Sequence, residues 1–178
     1  MKEIEAKILE VNGLKIEETL NKLGAKKIFD GDVKTLFFDS RERKITKAKN
    51  VLRLRTNKNR VELTFKKVSV TEAAKVSEEY SVEISNLETM KKILENLGLF
   101  VIEKMLKHRI SYKLDQAHFD IDHYYGDYNF IPEFLEIEAT NTNSLHKYAR
   151  LLGYEAKDCL PWSTVELIHH YSFKKDKS

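Results

Sequence analysis

The sequence holds one cysteine, one tryptophan, two prolines and six glycines in 178 residues. With Cys159 alone there is no internal disulfide, and a reducing, cytoplasmic setting is expected. No linker-like shift in composition divides the chain. A single domain is therefore expected over residues 1–172, with 173–178 as a frayed tail. No apolar run approaches a membrane span, and the chain opens directly on charged residues, so neither a membrane segment nor a secretory signal is expected. Charge of one sign is lacking too. The 31 basic and 28 acidic residues leave +3, too balanced to argue for a nucleic-acid partner. The information lies in where the charges sit.

Within the first eight residues, positions 3–8 alternate without a break. Glu3, Glu5 and Lys7 fall on one side, and Ile4, Ala6 and Ile8 on the other. A strand has a side-chain period of two, so one face is ionic and the other apolar. An ionic face ordinarily meets solvent. Recurrence changes that reading, because strands that share this pattern can close into a barrel with helices outside and charge inside.

Three strand–helix units repeat the arrangement. Asn12 leads through a helical pattern to Gly24, Asn86 to Gly98 and Asn141 to Gly153, each time a spacing of 12. Asn is a good N-cap and Gly a good helix stop. Aligned on the Asn, Glu5 matches Glu79, Lys7 matches Ser81 and Glu136, and Leu9 matches Glu83 and Glu138. Further strands are expected over 35–39, 51–55, 61–66, 105–112 and 119–122, with a 51–66 hairpin turning at 57–59. Roughly eight strands with helices on their apolar side give an α+β fold. The stretch 41–49 has no apolar period and is expected to be a solvated loop, and 124–132 a packed, tyrosine-rich loop.

The polar strand faces collect nine acids (Glu3, Glu5, Glu62, Glu79, Glu83, Asp120, Asp122, Glu136 and Glu138) against six bases (Lys7, Arg53, Arg55, Lys66, Lys107 and Arg109). Surplus carboxylates suit a hard divalent cation such as Mg²⁺ or Mn²⁺. Clustered Arg and Lys suit phosphate oxygens. Together they suit cleavage of a triphosphate, in which cations neutralise developing charge. Each group has a plainer reading: Arg53 and Arg55 as surface ion-pair partners, Glu62 and Asp120 as structural or rim groups, Glu79 and Glu83 as counter-charges to the bases. His118, His123, His169 and His170 lack zinc-ligand spacing and are read as surface or packing residues, and Cys159 as a packed thiol.

Glu3-x-Glu5-x-Lys7 resembles the ExExK signature of the CYTH superfamily, the triphosphate tunnel metalloenzymes. Leu52-Arg53-Leu54-Arg55, Leu63-Thr64-Phe65-Lys66, Lys107-His108-Arg109 and Phe134-Leu135-Glu136-Ile137-Glu138 are similar to its later motifs, in order. The resemblance implies a closed antiparallel tunnel of eight strands and a triphosphorylated small-molecule substrate, with Mg²⁺ or Mn²⁺. It implies metal ligation by Glu3, Glu5, Glu136 and Glu138, helped by Asp122. Arg53, Arg55, Lys66, Lys107 and Arg109 would hold phosphate, and Lys7 would orient or activate the attacking water. Glu62, Glu79, Glu83 and Asp120 would be additional tunnel residues. Ser77, Ser81 and Thr35 stand where relatives often carry charge, which bears on a second metal site and on the phosphate grip. The leading expectation is triphosphate hydrolysis, followed by a class IV adenylate cyclase and then a non-catalytic polyphosphate- or nucleotide-binding module. The oligomeric state is left open, a homodimer included.

Overall fold

Strand alternation and Asn–Gly helix bracketing both reappear in a computed structural model, which describes residues 4–58, 60–70 and 75–175. The fold is α+β. Its strands are β1 (Ile4–Ile8), β2 (Lys26–Asp39), β3 (Val51–Asn57), β4 (Arg60–Val70), β5 (Lys75–Ile84), β6 (Phe100–Leu114), β7 (Ala117–Tyr125) and β8 (Phe134–Ala139). The helices are α1 (Gly13–Lys22), α2 (Lys44–Lys47), α3 (Leu87–Asn96), α4 (Thr142–Leu151) and α5 (Thr164–Lys175). Hydrogen bonding orders the strands β1-β8-β7-β6-β2-β3-β4-β5, with antiparallel pairing. Among the described residues, no helix is long and apolar enough to cross a membrane.

The three repeated helices start and stop for the chemical reasons read from the sequence. The side-chain oxygens of Asn12, Asn86 and Asn141 accept from the backbone N–H of Lys15, Thr89 and Ser144 at 3.0, 2.8 and 2.8 Å. Each satisfies an N–H that the helix itself leaves without a partner. At the other end Gly24, Gly98 and Gly153 take φ of +79, +81 and +88°. That left-handed turn lets the next residue's N–H reach back to Leu20, Leu94 and Ala149 at 2.9, 2.9 and 3.0 Å.

The chain's contacts divide into two units. In the one built from the chain ends, through residue 31 and from Lys107 onward, β1, β7 and β8 present their apolar parity to α1 and α4. Ala6, Ile8, Phe119, Leu135 and Ile137 meet Ile16, Leu20, Leu145 and Ala149 in one buried cluster. Full burial of each large side chain contributes about 1.5–3 kcal/mol. The Glu133 carboxylate accepts from the Gly13 N–H at 2.7 Å, putting negative charge at the α1 N-terminus.

The unit over Asp32–Leu106 has its own core, in which Leu36, Phe38, Leu52 and Leu54 pack on Leu94, Met90 and Leu87 of α3. Asn57 pairs with Arg60 at the expected β3–β4 hairpin. The stretch expected to be a solvated loop over 41–49 is almost entirely exposed. It holds the short helix α2, tied down by Asp39, which is fully buried. Asp39 accepts from the N–H groups of Ser40, Ile45 and Thr46 at 2.8, 2.9 and 2.8 Å, and from the Thr46 hydroxyl at 2.6 Å. Burial pushes its pKa up, but these bonds outweigh burial and hold the carboxyl below its ordinary value. β2 and β6 also run well beyond the 35–39 and 105–112 segments expected.

Candidate functional site

Strand parity places two charged clusters, one in each unit. The first begins on β1 and β8, whose register sets Lys7 opposite Glu136 and Glu5 opposite Glu138. Next to β8, β7 sets Asp120 opposite Glu136 and His118 opposite Glu138. Lys107 and Arg109 come from β6, where they share parity with Ser111.

These groups are densely paired. The Lys7 ammonium donates to Glu136 at 2.5 Å, and Lys107 donates to Asp122 at 2.7 Å. Arg109 forks onto Asp122 at 2.6 and 2.5 Å, donates to Asp120, and reaches Glu136 at 3.6 Å. Ser111 donates to the other oxygen of Asp120 at 2.6 Å. Lys7 is 2% exposed and Asp122 is fully buried. Burying charge is costly without close opposite partners, and here the partners are in place.

The electrostatics follow from that pairing. Burial pushes the Lys7 pKa down, but Glu136, Glu5 and Asp122 outweigh it and hold the amine above its ordinary value. Burial pushes Glu136 and Asp122 up, and the neighbouring cations overcome this and keep both below the usual carboxylate range. Asp120 goes the other way. Burial raises it, and repulsion from Asp122 and Glu136 adds to that against the pull of Arg109. In this cluster the acids win, and Lys7 is an ammonium.

The second cluster lies on β3, β4 and β5. Arg53 and Arg55 share one parity, with Leu52 and Leu54 in the core on the other. Register sets Lys66 opposite Glu79, Arg55 opposite Glu62, Glu62 opposite Glu83 and Thr64 opposite Ser81. Glu79 bridges Lys66 at 2.8 Å and Arg53 at 3.3 Å, while the Ser81 hydroxyl donates to it at 3.4 Å. Fully buried Thr64 donates to Glu62 at 2.9 Å and lies 3.1 Å from Ser81.

Of the site residues read from the sequence, Glu3 lies outside the described residues. The others fall into these clusters, with Glu5, Lys7, Lys107, Arg109, Asp120, Asp122, Glu136 and Glu138 in the first, and Arg53, Arg55, Glu62, Lys66, Glu79 and Glu83 in the second. Sequence reasoning gave no site role to Ser111 or Thr64, and read Tyr124 as part of a packed loop where the structure places it on β7. The Lys107 ammonium lies 5.6 Å from the centre of the Tyr124 ring, which stacks on Phe134. Parity was the usable signal for two of them: Ser111 follows Lys107 and Arg109, and Thr64 lies between Glu62 and Lys66.

Among the described residues, no three His, Cys, Asp or Glu side chains are arranged to hold a metal ion. The donor chemistry nevertheless suits a hard divalent cation, which needs one or two carboxylates when substrate oxygens complete its shell. Glu5 opposite Glu138 offers two such carboxylates, with His118 at 3.8 Å from Glu138.

The chain is similar to known proteins over most of its length. A Methanocaldococcus jannaschii protein named "putative adenylate cyclase" is 29% identical over 138 residues, covering 78% of this chain and 77% of that protein. A solved Vibrio parahaemolyticus structure described in the same words superposes with a TM-score of 0.80 at 19% identity, over 95% of this chain and 98% of that one. A Hippeastrum protein, described as a putative adenylyl cyclase with a dominant triphosphatase activity, gives 0.67 at 16% identity over 96% of each chain. The two solved structures share the fold. The sequence model of the CYTH domain matches residues 1–161 of the 178, and the chain belongs to the CYTH domain family.

Proposed function

We propose that this protein cleaves a triphosphorylated small molecule with the help of Mg²⁺ or Mn²⁺, most simply by hydrolysis. The observation that carries the reading is the first cluster. Lys7, Lys107 and Arg109 are set among Asp120, Asp122 and Glu136 on one sheet face, with Lys7, Lys107 and Asp122 buried at a cost that packing alone does not require.

When bound, the metal would neutralise charge on the phosphate oxygens. Glu5, Glu136 and Glu138 would hold it, with Asp122 and Glu3 as further ligands. Arg109 and Lys107 offer phosphate a fork and a point charge. Arg53, Arg55 and Lys66 offer the same chemistry in the second cluster. Lys7, held as an ammonium, orients the attacking water or a phosphate oxygen as a cation rather than removing a proton. We read the chain as a single domain over 1–172 whose strands close into the charged tunnel that the family resemblance implies, in a cytoplasmic setting and without nucleic acid or membrane as partner.

The second reading is an adenylate cyclase, favoured by the name of the 29%-identical relative. It uses the same cations and adds groups that hold adenine and turn the ribose hydroxyl toward the α-phosphate. Mutation tests the metal assignment shared by both. Glu5→Gln and Glu136→Gln should abolish turnover of tripolyphosphate and of ATP at ordinary Mg²⁺ or Mn²⁺, and full activity in both variants would sink it.

A further inference from the structure

Glu79 occupies the place an anion would take in the second cluster. Its two carboxylate oxygens are divided between cations from different strands, Oε2 on Lys66 of β4 at 2.8 Å and Oε1 on Arg53 of β3 at 3.3 Å. Arg55 also attracts it. The Ser81 hydroxyl donates to Oε1, so a neutral donor completes what two bases begin. Two cations and a hydroxyl converging on paired oxygens is how proteins hold a phosphate, and here the oxygens belong to the chain itself. The side chain is about a quarter exposed, so a ligand can reach it from solvent. Glu5, by contrast, faces another carboxylate, Glu138.

We propose that Glu79 is the resident counter-anion of the Arg53–Arg55–Lys66 cradle, which a phosphate-bearing ligand must displace in order to bind. This rests on reading those three bases as a phosphate cradle. Glu79 is then a specificity residue. It turns away weakly charged anions and yields to one with enough negative charge to replace it on both Lys66 and Arg53. It also holds Arg53 and Lys66 together in the absence of ligand, because a lone cluster of cations would repel itself apart. Removing its charge while keeping its shape should tighten anion binding rather than weaken it.

The test is calorimetric titration of tripolyphosphate, with a chelator present, into the wild type, Glu79→Gln and Glu78→Gln. Glu78 lies one residue away on the opposite strand face, exposed and bonded to the Tyr80 hydroxyl, so its variant makes the same change in net charge away from the cradle. Glu79→Gln should bind about tenfold tighter, the scale of one displaced charge-assisted hydrogen bond. Glu78→Gln should stay within about twofold of wild type, as an exposed charge contributes little. Glu79→Ser, which removes the carboxylate with a smaller side chain, should also tighten binding. Mn²⁺ binding should be the same in wild type and Glu79→Gln. Unchanged or weaker tripolyphosphate binding in both Glu79 variants overturns the proposal and leaves the cradle standing. So does equal tightening in Glu78→Gln, or a loss of Mn²⁺ affinity in Glu79→Gln. If neither wild type nor the Glu79 variants bind tripolyphosphate at all, the cradle reading falls together with the proposal.

Discussion

The Lys7 ammonium and the Glu136 carboxylate meet at 2.5 Å from register partners on β1 and β8. Burial opposes charge on both, and each overcomes it for the other. Removing Lys7 alone leaves Glu136 partly buried, with Arg109 at 3.6 Å as a remaining cation. Lys7→Met should therefore destabilise the protein by about 3 kcal/mol, as breaking a buried pair does. The double variant Lys7→Met/Glu136→Gln should recover more than half of that. Urea unfolding of both single variants and the double closes the cycle. Additive losses would show that the two charges are not coupled.

Asp39 gives a stability that depends on pH. Its folded-state pKa is depressed by the bonds from Thr46, Ile45 and Ser40 outweighing burial. Its contribution is fully present above the unfolded aspartate value of about 4 and is lost as pH falls through the lower folded value. Asp39→Asn should cost about 1–2 kcal/mol at neutral pH, because the amide nitrogen cannot accept. It should also flatten the stability profile below about pH 4. Thermal melts of both proteins between neutral and strongly acid pH would show this. A constant difference across that range would remove Asp39 as its source.

Each Asn cap should contribute separately. Asn12→Ala, Asn86→Ala and Asn141→Ala should each cost about 1 kcal/mol. Ala in place of Gly98, at φ +81°, should cost a further 1 kcal/mol or so, because a Cβ is strained there although nothing crowds it. Equilibrium unfolding reads all four. A neutral Gly98→Ala would mean that the turn relaxes.

The Asn–Gly spacing and the strand alternation made much of this fold legible, since caps and parity are local properties of the sequence. Parity also showed which charges share a face. It could not show who pairs with whom. That Arg109 takes both Asp120 and Asp122 depends on strands β6 and β7 coming together at one register. The early part of β2 stayed hidden because Asp30-Gly31-Asp32 breaks the apolar alternation, so only pairing with neighbouring strands defines it. Asp39 looked like the acidic end of a strand. Its partners lie up to seven residues ahead, in a segment with no apolar period, and hydrogen bonds to Asp39, beside the one partly buried Ile45, hold α2. The Lys7 pKa was undecidable from sequence because cations and acids alternate around it, and distance alone settles which dominate.

The phosphate cradle has a kinetic signature. Arg55→Ala and Lys66→Ala should raise the KM for tripolyphosphate by about tenfold, with a smaller change in kcat, since a charged contact made alike in ground and transition states affects binding. An unchanged KM in both would remove these residues from substrate contact. Arg109→Lys should lower kcat/KM as well, because a point charge cannot reproduce the fork that Arg109 makes.

The most direct measurement is a product assay on the purified protein with tripolyphosphate, ATP and thiamine triphosphate, each with Mg²⁺ or Mn²⁺, reading orthophosphate and cyclic AMP in parallel. Metal-dependent phosphate release without cyclic AMP is the predicted result. Cyclic AMP with pyrophosphate would replace hydrolysis by the cyclase reading, and ligand binding with neither product would contradict catalysis of either kind.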